Sequence, residues 1–364
     1  MHIIPVEITV NMSGDSNLPH IDMFVDEKNA EDSVITIARM VRPEWNDKDI
    51  KVKVFSGGIS NKLVGCYVPP NKDEILLMRI YGKKTELLVD RKREKETFQI
   101  LHKAGCGPKL HASFENGICY DFVPGVILDE KTVREERIYK LVAHEMARMH
   151  LVEANGGKAP SSELSNKLNH FISLTPDRFE DPKKQEIFER RIMPRSELIT
   201  EANMLMSLVS NLGLPVVFSH NDLLLGNIIL NTEKSKVSFI DYEYAMYNYL
   251  PYDIGNHFCE FPGIEEVNYD LYPEREFQLK WIREYLKARY SLQGENKAVT
   301  DKEVERMYAI VNKFALVSHF FWGVWSIVQA CHSTIDFDFL DYAITRLDEY
   351  KRRKPAFLAL PIPE

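Results

Sequence analysis

Cysteine is sparse: Cys66, Cys106, Cys119, Cys259 and Cys331 make five, an odd number with no Cys-x-x-Cys pair. That pattern argues against a disulfide framework and against the common zinc spacings. It suits buried free thiols in a reducing compartment, so a cytoplasmic location is expected. Positive charge is also in deficit, with 46 Lys and Arg against 54 Asp and Glu and a net charge of −8. Without a basic field, neither nucleic acid nor an anionic membrane is expected as the main partner, whereas a small cationic molecule fits the balance. Met1 to Val10 show no basic segment followed by an apolar one, so no secretory signal is expected. The longest uncharged run, Phe314 to Cys331, falls just short of the ~20 apolar residues a membrane span needs. It is broken by Ser318, His319, Ser326 and Gln329 and reads as a buried core helix, so no transmembrane segment is expected. Internal repeats and low-complexity tracts are missing.

What is present suits a globular chain: 364 residues, 45% hydrophobic, enough for a sizeable core and for about two lobes. Residues 1–30 mix polar residues with Pro and Gly without a period and read as a flexible leader. KVKVF (51–55), KLVGCYV (62–68) and EILLMRI (74–80) are β-branched or apolar runs separated by turns. A helical stretch carrying Leu87, Phe98, Ile100 and Leu101 stops at Gly105-Cys106-Gly107-Pro108, and KLHASFE and ICYDFV join at the hairpin signal Asn116-Gly117. Beyond Pro124-Gly125 helical patterns dominate, interrupted by PVVFSHND, NIIL and KVSFID. The expected class is α+β: an N-lobe over 31–123 built on an antiparallel sheet, and a larger, mainly helical C-lobe over 124–364. A ligand belongs in the cleft between them.

The most specific local signal is His220-x-Asp222-x4-Asn227, followed fourteen residues after the asparagine by Asp241 at the end of a second short strand. Phosphoryl transfer needs these groups: one carboxylate to orient or deprotonate the attacking hydroxyl, and an amide oxygen and a second carboxylate to hold Mg²⁺ on a triphosphate. Asp222 is assigned as the base, Asn227 and Asp241 as metal ligands, and His220 as a structural support for the loop. Each residue type alone is ordinary in a turn; the complete set at this spacing is not.

Ser56-Gly57-Gly58-Ile59-Ser60-Asn61, between two strands, supplies backbone N–H groups and side-chain donors for phosphate oxygens. On its own a Gly-Gly hairpin is weak evidence. It gains weight from Arg79 on the following strand, a guanidinium able to reach the α- and β-phosphates, with Glu94 or Glu96 of the next helix to hold it. The adenine is placed at the connector, against the backbone of Asp121, Phe122 and Val123.

GGISNKLVGCYV, LLMRIYG, HNDLLLGNIIL, FIDYEYAMYNYLPYDIGNHFCEF and SHFFWGVWSIVQA resemble the choline/ethanolamine kinase family from about residue 50 to 350. The resemblance implies a protein-kinase-like fold and transfer of phosphate from ATP, with Mg²⁺, to the hydroxyl of an amino alcohol. It also implies an amine subsite of Trp322, Trp325, Phe337 and Tyr342 with Glu260 as acidic partner and Asp222 at the hydroxyl. YGKKTELLVDR, FPGIEEV and STIDFDFLDYA look closer to ethanolamine kinases. Where choline kinases carry a further tyrosine, this chain reads Pro262-Gly263-Ile264-Glu265-Glu266, so one aromatic wall is missing or replaced by acid, with Tyr269 as a candidate to fill in. A quaternary ammonium is best held by aromatics and a primary one by oxygen acceptors, which favours ethanolamine, with choline or dual use as the runner-up. From spacing alone, Trp322 and Trp325 read as core. Asp253 is expected to anchor the catalytic-loop backbone, with Asn256 and His257 in the same network. A catalytically inactive scaffold and an antibiotic phosphotransferase are the other classes weighed; a homodimer is left open.

Overall fold

The computed structural model describes residues 18–26, 29–55, 61–70, 74–82, 85–154, 156–158, 160–333 and 335–364. The N-lobe comprises β1 (His20–Ile21), α1 (Ala30–Val41), β2 (Lys51–Phe55), β3 (Asn61–Tyr67), β4 (Leu76–Tyr81), α2 (Arg91–Lys103), β5 (Leu110–Phe114) and β6 (Gly117–Asp121). The strands form one sheet in the order β1-β5-β6-β4-β3-β2. Strand period decides what each face carries. In β4, Leu76, Met78 and Ile80 pack with α1 residues Val34, Ile37 and Ala38 in a small core of their own. Leu77 joins the main core with Phe98 and Leu101 of α2, and Arg79, two residues along, therefore shares the cleft-facing side. Asp90 caps α2, its side chain accepting from the Lys92 and Arg93 N–H groups.

Two expectations need correction here. The sheet is mixed, because β1 pairs with β5 in parallel. The leader does not extend to residue 30: Val25 is fully buried, and the Asn116 amide of the hairpin both donates to Val25 O and accepts from Val25 N, each at 2.9 Å. Composition gave no warning, since two paired residues add no period. Residues 1–17 lie outside the described residues.

The C-lobe comprises β7 (Val126–Ile127), α3 (Glu136–Met149), α4 (Leu164–Leu174), α5 (Pro182–Arg191), α6 (Arg195–Ser210), β8 (Val216–Ser219), β9 (Ile228–Asn231), β10 (Lys236–Phe239), β11 (Met246–Tyr249), α7 (Leu250–Cys259), α8 (Arg275–Leu292), α9 (Asp301–His332) and α10 (Phe339–Ala359). Three short antiparallel pairings, β8 with β11, β9 with β10 and β7 with β9, frame the loops that carry His220 to Asn227 and Asp241. The 32-residue α9 starts in a capping box, Thr300 with Glu303, and from Ala309 to Gln329 is buried on all sides. Its length and hydropathy would suit a membrane span, but 89% of the apolar window is buried inside the protein. It is a core helix, as its interrupting polar residues predict, with α7 and α10 packed along it.

α7 crosses α9 closely because Gly255 has no side chain: a Cβ there would lie 2.8 Å from Val311 O and 3.0 Å from Ala315 N, both backbone atoms. We therefore expect Gly255→Ala to destabilise the fold by about 1–3 kcal/mol through overpacking. The measurement is a guanidinium unfolding curve, and an unchanged midpoint would refute the close approach.

Candidate active site

The loop after β8 is fixed from behind. Asn221 sits at φ +66°, a left-handed conformation that Asn tolerates better than most residues. Its amide donates to Ser219 O and Tyr244 O at 3.1 Å and accepts from Asn248 Nδ2 at 2.7 Å. Beneath it, the fully buried Asp253 accepts from His220 N at 2.7 Å, Asn221 N at 2.6 Å and His150 Nε2 at 2.9 Å. Burial pushes the Asp253 carboxyl up, but the hydrogen bonds and charge from His150 and the loop amides outweigh it and hold it below the usual carboxylate range. His220 donates from Nε2 to Ile240 O at 2.9 Å, linking the two loops, and His257 Nδ1 meets Leu223 O at 3.0 Å. Both histidines and Asp253 brace the backbone from outside the cavity.

This scaffold presents Asp222, Asn227 and Asp241 to one cavity of about 350 Å³ between the lobes. Asn227 Nδ2 donates to Asp222 O at 2.9 Å, which aims the amide and leaves its oxygen for another ligand. Asp241 also adopts a left-handed φ, +65°. Its Oδ1 lies 2.6 Å from Arg79 Nη2, but off the donor's line, so this buried oxygen accepts no hydrogen bond. One amide oxygen and one carboxylate oxygen are hard ligands, and among the described residues no cluster of three His, Cys, Asp or Glu side chains closes a cage. That suits Mg²⁺, which takes few protein ligands and fills its shell with water and phosphate. Asp222 is pushed well above the usual carboxylate value, first by burial and then by the charges of Asp241, Glu260 and Glu243.

Across the cleft, Arg79 Nη1 pairs with Glu94 Oε1 at 2.9 Å, which settles the choice between the two glutamates. Glu96 is partly exposed, 4.0 Å from Lys92. The charge run of α2 is only partly a solvated face. Arg91 reaches Glu94 at 2.9 Å and Glu243 at 3.1 Å, and its guanidinium lies over the Tyr81 ring. Asn61 Nδ2 donates to Glu243 Oε2 at 3.2 Å. Ser56, Gly57, Gly58, Ile59 and Ser60 lie outside the described residues. At the connector, Phe122 and Val123 line the cavity. Asp121 N donates to Lys109 O and Phe122 N to Ile75 O, each at 3.0 Å, so those two amides serve the sheet. The Asp121 carboxylate turns away to His111 at 2.6 Å.

The other end of the cavity is aromatic: Trp322 and Trp325 of α9, Phe337, Phe339 and Tyr342 around the start of α10, and Tyr244. Trp322 Nε1 donates to Asn256 Oδ1, and Trp325 Nε1 to Tyr244 OH, both at 2.8 Å, so each indole is fixed by its polar edge. Glu260 faces this wall, held by Arg346 at 2.8 Å. Two details differ from the sequence reading. Ile264 lines the cavity while Glu265 and Glu266 are exposed, so the replaced wall is aliphatic and not acidic. Tyr269 does not swing in: its hydroxyl donates to Thr345 O at 3.3 Å and its ring lies against His319.

Glu243, Arg91, Tyr244, Phe339, Ile264 and Arg346 were missed by sequence reasoning. Glu243 and Tyr244 stood within the quoted FIDYEY block, two and three residues past Asp241. Arg346 gave no local signal beyond lying one helical turn after Tyr342.

Comparison with solved structures assigns the class. The fold matches a Plasmodium vivax ethanolamine kinase (TM-score 0.77, 25% identity, 94% of this chain and 96% of that one). It also matches a Cryptosporidium parvum choline kinase (TM-score 0.72, 25% identity, 90% and 96%). The architecture is thus that of a two-lobed, protein-kinase-like phosphotransferase. Residues 52–351 match the family model for choline/ethanolamine kinase, and the chain is 44% identical over 354 residues to mouse ethanolamine kinase 1, covering 96% of this chain and 98% of that protein. The chain belongs to the choline/ethanolamine kinase family.

Four buried histidines, His150, His220, His257 and His319, are held below the usual 6.5 chiefly by burial, His257 to about 4. Unfolding exposes them to water, where they take up protons below pH 6.5, so the unfolded state binds more protons and stability is lost as the pH is lowered. We expect a loss of roughly 1 kcal/mol for each pH unit below 6.5 from each of His257 and His319, whose shifts are large, with His150 and His220 adding in the same direction. His319→Leu, which removes a ring with neither nitrogen hydrogen-bonded, should reduce that slope by one proton. Urea midpoints between pH 7.5 and 5 test this; a midpoint independent of pH would contradict it.

Proposed function

We propose that the protein phosphorylates the hydroxyl of ethanolamine, taking the phosphoryl group from ATP and releasing phosphoethanolamine and ADP. This is the entry step of the CDP-ethanolamine route to phosphatidylethanolamine. The observation that carries the reading is a single cavity holding Asp222, Asn227 and Asp241 at one end and the aromatic wall with Glu260 at the other. The curated relatives named ethanolamine kinase, at 44% identity over most of their length, support the same substrate.

In this reading Asp222 accepts a hydrogen bond from the substrate hydroxyl and takes up its proton as the new P–O bond forms. A carboxyl lifted by burial is a stronger base than an exposed one, which suits that step. Arg79, braced by Glu94, binds the phosphates from the N-lobe side. Asn227 and Asp241 would hold Mg²⁺, whose charge offsets that developing on the transferring group. The ammonium is received by Glu260 and the faces of Trp322, Trp325 and Tyr342. Ile264 narrows that end with an aliphatic side chain and offers no π-face to added methyl groups. The buried thiols of Cys66, Cys106, Cys119 and Cys259 support a reducing compartment, and we place the protein in the cytoplasm.

Asp222→Ala should lower kcat by roughly 10³-fold or more with ATP affinity changed less than about twofold. Steady-state kinetics with a separate nucleotide-binding titration decide it; near-normal turnover would remove Asp222 from the chemistry. For substrate choice, initial rates for ethanolamine, its N-methyl derivatives and choline should fall with each methyl. A flat or rising series would reject ethanolamine as the preferred substrate.

A further inference from the structure

Arg346 stands behind the amine end of the cavity without lining it. It lies on α10, 2% exposed, with its Nε in no hydrogen bond. Nη1 donates to Glu260 Oε1 at 2.8 Å and to Tyr342 OH at 3.0 Å. Nη2 donates to Ser318 Oγ at 3.1 Å, and Ser318 passes the direction on to Asn256 Oδ1 at 2.7 Å, the atom that also receives the Trp322 indole N–H at 2.8 Å. A guanidinium has only donors, so every bond in this chain has a fixed sense. One residue thereby sets a carboxylate, a phenol and an indole, and all three line the cavity.

We propose that Arg346 is the positioning residue of the amine subsite. It orients Glu260 so that one carboxylate oxygen is held by the guanidinium and the other is available to an ammonium, and it locks Tyr342 and Trp322 around it. The inference rests on the amino-alcohol kinase reading above and assigns how that site distinguishes an amine-bearing alcohol from a neutral one. Electrostatics supports the geometry. Removing the guanidinium would leave Glu260 buried beside Asp222, with Cys259 of α7 and Tyr269 nearby and no cation to balance it. A role confined to folding would make Arg346 matter equally for both substrates, and would not depend on Glu260.

The test is a double-mutant cycle with Arg346→Met, Glu260→Gln and the double variant, measured on ethanolamine, on the neutral ethylene glycol and on ATP. We expect Arg346→Met to raise KM for ethanolamine at least ~10-fold while KM for ATP stays within ~2-fold, and to collapse the preference for ethanolamine over ethylene glycol. In the Glu260→Gln background the same substitution should raise KM for ethanolamine several-fold less than in the unmodified protein, because the part transmitted through Glu260 is already lost and only the part through Tyr342 and Trp322 remains. The double variant buries no unpaired charge, so comparing it with Glu260→Gln alone gives the answer even where Arg346→Met fails to fold. Costs that add in full on that background, equal rises in both KM values, or an unchanged KM for ethanolamine would each overturn the proposal. An unmodified protein that leaves ethanolamine untouched would overturn the functional reading and this one with it. An active unmodified protein with an additive cycle removes Arg346 alone.

Discussion

The buried carboxylate of Asp253 is the constraint on which the site depends. It sits in the first turn of α7, where the helix N-terminus favours negative charge, and it takes two consecutive backbone N–H groups from the loop above together with His150, which caps the C-terminus of α3. Those amides belong to His220 and Asn221, so the position of Asp222 follows directly from a helix on the far side of the loop. Asn221 adds the second fixation by bridging β8 and the segment before β11 with one amide. The loop is held almost entirely by side chains that meet no reactant, which leaves the three reactive groups their oxygen lone pairs.

The same economy governs charge. Among the described residues at the cleft, the carboxyl groups of Asp222, Asp241, Glu243, Glu260 and Glu94 outnumber the guanidinium groups of Arg79, Arg91 and Arg346. In a cleft partly shut off from water, such an excess acts over longer distances than it would at a surface. It favours cationic ligands as a class. The overall acidity of the chain contributes little to this; the local pairing decides it.

Most of the architecture was legible because it follows from period and punctuation. Alternation in LLMRIY, the Asn116-Gly117 turn and the uncharged stretch of α9 from Phe314 on each specify one structure. That Asp222, Asn227 and Asp241 meet at one cavity was legible because their spacing along the chain is itself the geometry of a loop between two strands. The residues that escaped are of another kind. Arg346 meets Glu260 across 86 residues of chain, and Arg91 meets Glu243 across 152. A long-range ion pair leaves no trace in a window of sequence, and a charge inside a polar run looks solvated until its partner is known. Parallel β1 was missed because two residues of pairing carry no periodic signal, and the sequence likewise does not show that sheet bonding engages the Asp121 and Phe122 amides at the connector.

β4 shows how little freedom such an arrangement leaves to sequence change. Its even positions pack beneath α1 and its odd positions face the cleft. A residue inserted or lost upstream of Arg79 within the strand would shift the pattern by one and send the guanidinium into the apolar layer, while a methionine or isoleucine met the nucleotide. Length variation in this lobe is therefore confined to the turns outside β4, and the strand itself admits replacement but not change of length.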